Sequence, residues 1–187
     1  LGSSDTPLGN FIKEISKSDF SFGNKSNSPV FGKYPFFLNS NEWDPGTNSI
    51  NNPLNEMWST AVLELNPSNG EIIWEWHLWD HLIQNVDPSL PNYGNISEHP
   101  ELFDINCGVV GTNAGGPQQA NGDWIHINSI HHNPLLNQIV LSSRLQNELY
   151  IIDHSTTAAE ASSHFGGNSG MGGDILYRWG NPQNYGR

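Results

Sequence analysis

Apolar and polar positions alternate in several stretches of this chain, and in residues 1–56 no helical period holds for more than a turn. Ala61-Val62-Leu63-Glu64-Leu65 and Glu71-Ile72-Ile73-Trp74-Glu75-Trp76 flank Asn66-Pro67-Ser68-Asn69-Gly70, which predicts two strands joined by a turn ending in Asn-Gly. Asp123 to His132 reads as a strand, Asn133-Pro134-Leu135-Leu136-Asn137 as a turn, and Gln138 to Ser143 as the return strand. From Trp124 onward the spacing is regular, with strands expected at about 124–131, 138–143, 148–152 and 174–179. Four consecutive antiparallel strands describe one propeller blade, and the 60–76 hairpin then belongs to the preceding blade. The plainer alternative is a meandering antiparallel sheet. Ile72-Ile73-Trp74-Glu75-Trp76 and Ile175-Leu176-Tyr177-Arg178-Trp179 each end a unit with aromatics two apart, a weak repeat that favours blades.

The pattern divides the chain. Residues 1–56, rich in Ser, Asn, Pro and Gly with scattered aromatics, read as an irregular N-terminal segment of loops and short strands. Residues 57–187 read as propeller blades. Within them, 77–122 is a long connection holding Trp79-Asp80-His81 and a Gly/Asn-rich stretch at 111–122; connections of that length carry function or disorder. The expected class is all-β, a partial β-propeller of antiparallel four-stranded blades.

The second hairpin also carries candidate chemistry. Pairing about Leu135 sets His126 opposite Arg144 and Asn128 opposite Ser142, a polar cluster on one face, with Ile125, Ile127 and Leu141 on the other. A planar guanidinium beside an imidazole suits a tetrahedral oxyanion such as sulfate or phosphate. An ordinary solvated rim is the competing reading.

Charge sharpens this. Seven Lys plus Arg against 19 Asp plus Glu give a formal charge of -12, which argues against nucleic-acid or anionic-membrane partners, since both need clustered basic groups. No apolar run approaches the roughly 18 residues of a membrane span. An anionic substrate needs local positive charge, and the arginines are only Arg144, Arg178 and Arg187. Cys107 stands alone, so no intrachain disulfide or cysteine-based zinc site is expected, and it reads as a small, partly buried apolar residue. His131-His132 makes a poor chelate, because neighbours on a strand point to opposite faces. His99, His154 and His164 read with them as solvent-facing or structural. Asn24-Lys25-Ser26 and Asn95-Ile96-Ser97 match the glycosylation sequon.

GDWIHINSI, the following LSSR, YIIDHSTTAAEA and GGDILYRWGNPQNYGR resemble the arylsulfotransferase family, whose members transfer sulfate without a nucleotide donor. The resemblance is dense from about Ala61 to Arg187 and near absent before Asn55. It implies a six-bladed propeller in an exported bacterial protein, periplasmic, cell-surface or extracellular. It also implies sulfuryl transfer from an aryl sulfate donor through a histidine to a phenolic acceptor, with neither metal nor nucleotide cofactor. By motif, His126 and Arg144 match the residues that hold the sulfate group. An upstream histidine also contributes in the family; His81 is the first candidate and His77 the second. Asn128 and Trp124 are candidate substrate contacts, with Trp74, Trp76 and Trp79 as a phenol floor or, alternatively, as core. Asp123 and Asp80 orient histidine tautomers or cap turns, and the DHSTT run is either chemical or conformational, with Asp153 and Ser155 fixing a loop.

The family's nucleophile sits in a downstream segment, a Gln-His pair shortly after WGNP, and residues 1–187 contain no such pair. Six blades of about 45 residues need roughly 270. The expectation is therefore a piece of a larger protein, or a ring completed by another chain or as a homo-oligomer, inactive alone. A noncatalytic propeller that binds anions or glycans, or serves in assembly, is the alternative.

Overall fold

The computed structural model describes residues 21–22, 29–37, 56–66, 69–108 and 124–187. Asp123, the 111–122 stretch and the Asn24-Lys25-Ser26 sequon lie outside the described residues. Ten strands lie among the described residues: β1 (Ser21–Phe22), β2 (Pro29–Phe37), β3 (Glu56–Leu65), β4 (Ile72–His77), β5 (Leu82–Ile83), β6 (Phe103–Asp104), β7 (Ile127–Asn133), β8 (Gln138–Ser143), β9 (Glu148–Asp153) and β10 (Tyr177–Gly180). They form two four-stranded antiparallel meanders, β1-β2-β3-β4 and β10-β9-β8-β7, and a parallel pair, β5-β6. This is the expected all-β architecture of successive blades, with two sheets that do not close a ring. The single α-helix among the described residues, α1 (Ala158–Ala161), is one turn long.

The first hairpin folds where its pattern places it. Gly70 N–H donates to Asn66 O at 2.7 Å and Asn66 N–H to Glu71 O at 2.8 Å, and Gly70 takes φ 75, a conformation glycine adopts without a Cβ clash. On β4, Trp74 and Trp76 are buried and alternate with half-buried Glu75 and His77. On β8, Ile139, Leu141 and Ser143 point inward. On β9, Glu148, Tyr150 and Ile152 do so. These inward residues merge into one core that includes Leu78, Phe103, Ile105, Trp124, Ile125 and Ile127, so the sheets share a hydrophobic interior.

Polar ties lock the sheets together. Trp74 Nε1 donates to Thr156 Oγ1 at 3.1 Å and Trp76 Nε1 to Gly173 O at 2.7 Å, while His154 Nε2 lies 3.0 Å from Glu64 Oε2. Buried indole N–H groups need such partners. The DHSTT run is conformational: Asp153 Oδ1 accepts from Ser155 N–H at 2.8 Å and Oδ2 from Ser169 N–H at 2.9 Å, and Thr157 opens α1 in a capping box with Glu160.

Two details depart from the pattern. The β7–β8 register pairs Asn133 with Gln138 and Ser129 with Ser142, shifting between Ile127 and Ser129. The connection therefore has four residues rather than five, because Asn133 Oδ1 caps it by accepting from Leu135 N–H at 3.0 Å and Asn137 closes it at φ 49. Asn128 does not face Ser142; it is the extra residue of a bulge. The aromatic repeat is out of phase as well: Tyr177 and Trp179 are exposed, whereas Trp74 and Trp76 are buried. Arg178 takes the inward position between Tyr177 and Trp179 because its partner lies inside.

Candidate anion-binding site

The bulge at Asn128 restores the pairing that the hairpin needs. Ile127 lies opposite Ser143, and one step further Arg144 N–H donates to His126 O at 3.1 Å. His126 and Arg144 are therefore opposite each other, one residue before β7 and one after β8, at the same end of the sheet. His126 is half-buried and Arg144 exposed. The strand starts later than its alternation predicts because His126 adopts φ 48, a left-handed backbone that is uncommon for a non-glycine residue and breaks the ladder.

Three consecutive carbonyls are pinned to hold that turn. Trp124 O accepts from Gln146 Nε2 at 3.0 Å, Ile125 O from the Ser143 hydroxyl, and His126 O from Arg144 N–H. Strain of this kind persists only where surrounding structure over-determines it. Gln146 is itself buried and engaged at every group. Its N–H donates to Ser143 Oγ at 3.2 Å, its Oε1 accepts from Cys107 Sγ at 2.9 Å, and its carbonyl accepts from Asn184 Nδ2 at 2.9 Å.

Behind Gln146 lies a buried ion pair. Arg178 Nε and an Nη reach the two Glu148 carboxylate oxygens at 2.9 and 2.6 Å, and the other Nη donates to Pro100 O and Leu102 O. Tyr150 and Asn184 also donate to Glu148 Oε2, each at 2.9 Å. The Arg178 guanidinium sits 4.5 Å from the Tyr185 ring centre. Desolvation, reinforced by Glu148, pushes the Tyr150 hydroxyl well above its usual pKa. Burial, with Asp104 adding repulsion, pushes the Cys107 thiol up to about 12. Through Gln146 and Ser143 this layer fixes the backbone at Trp124 and Ile125.

The other expected site residues are held as follows. Trp124 is buried in the core and spends its indole N–H on Cys107 O at 2.7 Å. Asn128 is exposed on the bulge. His81 is fully buried, with Nδ1 2.7 Å from Asp174 Oδ1 and Nε2 donating to Ala161 O at 2.9 Å, so both ring nitrogens are engaged away from the hairpin. His77, at the end of β4, is half-buried with Nε2 3.2 Å from Glu75 Oε2. A surface groove of about 410 Å³ beside Pro100, Tyr177, Tyr185 and Arg187 includes neither His126 nor Arg144. Gln146, Glu148, Arg178 and Asn184 were not singled out by sequence. One signal was present: strand alternation puts Glu148 on the Tyr150 and Ile152 face, and an inward carboxylate requires a cation.

Successive antiparallel four-stranded sheets, with a histidine and an arginine opposed at the end of one hairpin, define an all-β protein built of blade-like sheets. The family model for arylsulfotransferase (ASST) matches residues 47–160, and the chain belongs to that family. The matched span contains His126, Arg144 and every strand from β3 to β9. At the family level this is aryl sulfotransfer, with an aryl sulfate and a phenol as the implied substrates. Neither a comparison with curated proteins nor one with solved structures gave a match.

Proposed function

We propose that the hairpin end formed by His126 and Arg144 holds the sulfuryl group of an aryl sulfate during its transfer to a phenol. The observation that carries this reading is their opposition across the bulged hairpin, with the carbonyls of Trp124, Ile125 and His126 each held by a hydrogen bond. Charge in sulfuryl transfer spreads over the equatorial oxygens, as in phosphoryl transfer, so positioning and electrostatics supply most of the catalysis. Arg144 donates to two of those oxygens. His126 protonates the bridging oxygen as the S–O(aryl) bond breaks and the electron pair leaves with the phenol. The sulfur passes to the acceptor histidine that the family resemblance implies, and then to the second phenol. Asn128, exposed beside this end, belongs to the substrate rim. With both nitrogens of His81 engaged, His77 is the better candidate for the upstream histidine. Export to a periplasmic or extracellular compartment rests on the family resemblance and is tested by fractionating cells that express the native gene.

Binding of nitrophenyl sulfate, measured by titration calorimetry, tests the clamp without requiring turnover. A hydrogen bond to a charged group is worth about 1.5–3 kcal/mol, so Arg144→Ala is expected to weaken binding by roughly tenfold to a hundredfold. Equal affinity in wild type and variant contradicts the assignment. Tight binding with no sulfate transfer to a phenol by the full native gene product assigns it to a noncatalytic anion-binding role.

A further inference from the structure

Away from the hairpin, His81, His164 and Asp174 bring one ligand atom each into a cluster whose members all lie within 4.8 Å of one another. His81 Nδ1 is 2.7 Å and His164 Nδ1 2.8 Å from the same oxygen, Asp174 Oδ1. The residues come from separate places in the chain: the 3-10 turn Leu78–His81 after β4, the segment after α1, and the approach to β10. We propose that this cluster binds a zinc-type divalent cation, which clips the first sheet to the loop that precedes β10.

Second-sphere geometry is the main argument. His81 Nε2–H donates to Ala161 O at 2.9 Å, so Nδ1, 2.7 Å from Asp174 Oδ1, becomes the lone-pair nitrogen when an ion replaces the proton held between them. Metal-bound histidines adopt this arrangement, with the distal N–H given to a carbonyl or carboxylate. The ring is held in place before any ion arrives. It stacks on Trp76 with centroids 5.6 Å apart and planes 6° apart, and Trp76 is anchored by Gly173 O. A Cβ on Gly173 would meet His81 Nε2 at 2.6 Å and Ala161 O at 2.0 Å, so glycine is required for the chain to pass this close. His81 and Asp174 are 0% and 6% exposed, but the His164 side chain is 58% exposed. The cluster is thus rigid on its inner side and reachable from solvent on the other.

Two imidazoles and one carboxylate are the donor set of zinc rather than of magnesium or calcium, which take oxygen ligands. Ligands about 2.0–2.1 Å from a tetrahedral ion lie about 3.3 Å apart. Binding therefore needs the 2.7 and 2.8 Å contacts on Asp174 Oδ1 to lengthen by about half an ångström, through a small rotation of the Asp174 carboxylate together with movement of the exposed His164 ring. The fourth position is taken by water. This site is separate from the proposed transfer chemistry, for which the family resemblance implies no metal.

The test is equilibrium dialysis of the chelator-treated, refilled chain against micromolar zinc, with metal content read by mass spectrometry. One zinc per chain is expected in wild type and in His132→Ala, and a loss of at least tenfold in affinity in His164→Ala and Asp174→Asn. Far-UV circular dichroism establishes that His164→Ala, altered at an exposed side chain, remains folded. Cobalt should give a ligand-field spectrum in wild type that His164→Ala lacks, and magnesium and calcium should not be retained. Absence of zinc from the wild type, or equal zinc in His164→Ala, overturns the proposal in favour of a metal-free His–Asp–His hydrogen-bond cluster.

Discussion

Arg144 and Arg178 flank the same strand, β9, and are used in opposite ways. Arg178 is buried on β10 and spends its donors on both Glu148 oxygens and on the carbonyls of Pro100 and Leu102, with Tyr185 against its face. Arg144 stands exposed in the turn that leads into β9. The network around Glu148 and Gln146 leads through hydrogen bonds to Trp124 O and, by way of Ser143, to Ile125 O, the two residues before His126, which lies opposite Arg144. One arginine builds the support inside the sheet, and the other lies at the surface. Exposure rather than residue type separates the two positions.

The largest expected effect comes from breaking the buried half. Removing one partner of a buried pair leaves an uncompensated charge, so Arg178→Ala should lower the unfolding free energy by about 3–5 kcal/mol in urea titration. Arg144→Ala, at an exposed turn, should stay within about 0.5 kcal/mol of wild type. Similar losses in both would erase the distinction. Cys107 reports on the dryness of the same layer. With its thiol raised from an ordinary 9.0 to about 12, the thiolate fraction at pH 8 falls roughly a thousandfold, and native alkylation should be slower than in the urea-unfolded chain by that order. Rapid labelling of the folded protein would mean that the layer is wet.

Gln146→Leu sharpens the link between support and clamp. It leaves Trp124 O without its donor, a cost of about 1–3 kcal/mol, and nitrophenyl sulfate binding should weaken severalfold although Gln146 touches no ligand. A stability loss with unchanged binding would separate the network from the site. The smallest effect concerns the tie between the sheets. Burial holds the His154 pKa below its ordinary value, outweighing the attraction of Glu64, and His132 adds repulsion. The folded state thus prefers neutral His154. Its contribution is complete above the unfolded value of about 6.5 and is lost as pH falls through the lower folded value. Melting temperature should drop between pH 7 and pH 5 more steeply in wild type than in His154→Asn; parallel slopes would remove His154 from this role.

Much of the fold was legible because strand alternation is a local signal. The strands on either side of Asn66–Gly70 and the four strands after Trp124 follow it, and β8 occupies the residues its pattern assigns. The opposition of His126 and Arg144 was also legible, but by a route the molecule does not take. Pairing about Leu135 placed the turn one residue off, and the Asn128 bulge cancels that shift at the hairpin end. Bulges depend on local backbone conformation, here His126 at φ 48, and alternation carries no trace of them. The support was not legible, since Glu148 and Arg178 are 30 residues apart and only the folded sheet brings them together. His81 shows the complementary limit: the motif suggested a site residue, and nothing local in the sequence shows that the ring stacks on Trp76 and meets Asp174. The family match begins at residue 47, inside the segment where little resemblance was read, and ends at 160, before GGDILYRWGNPQNYGR. In that last run Asn184 serves the Glu148 network, a conformational task.

Titration of nitrophenyl sulfate into wild type, Arg144→Ala and Arg144→Lys tests the clamp most directly. Wild type should bind, Arg144→Ala should lose roughly tenfold to a hundredfold in affinity, and Arg144→Lys should recover only part of it, because a lysine restores charge but not the planar pair of donors. Equal affinities across the three proteins would contradict the assignment of the sulfate group to this hairpin.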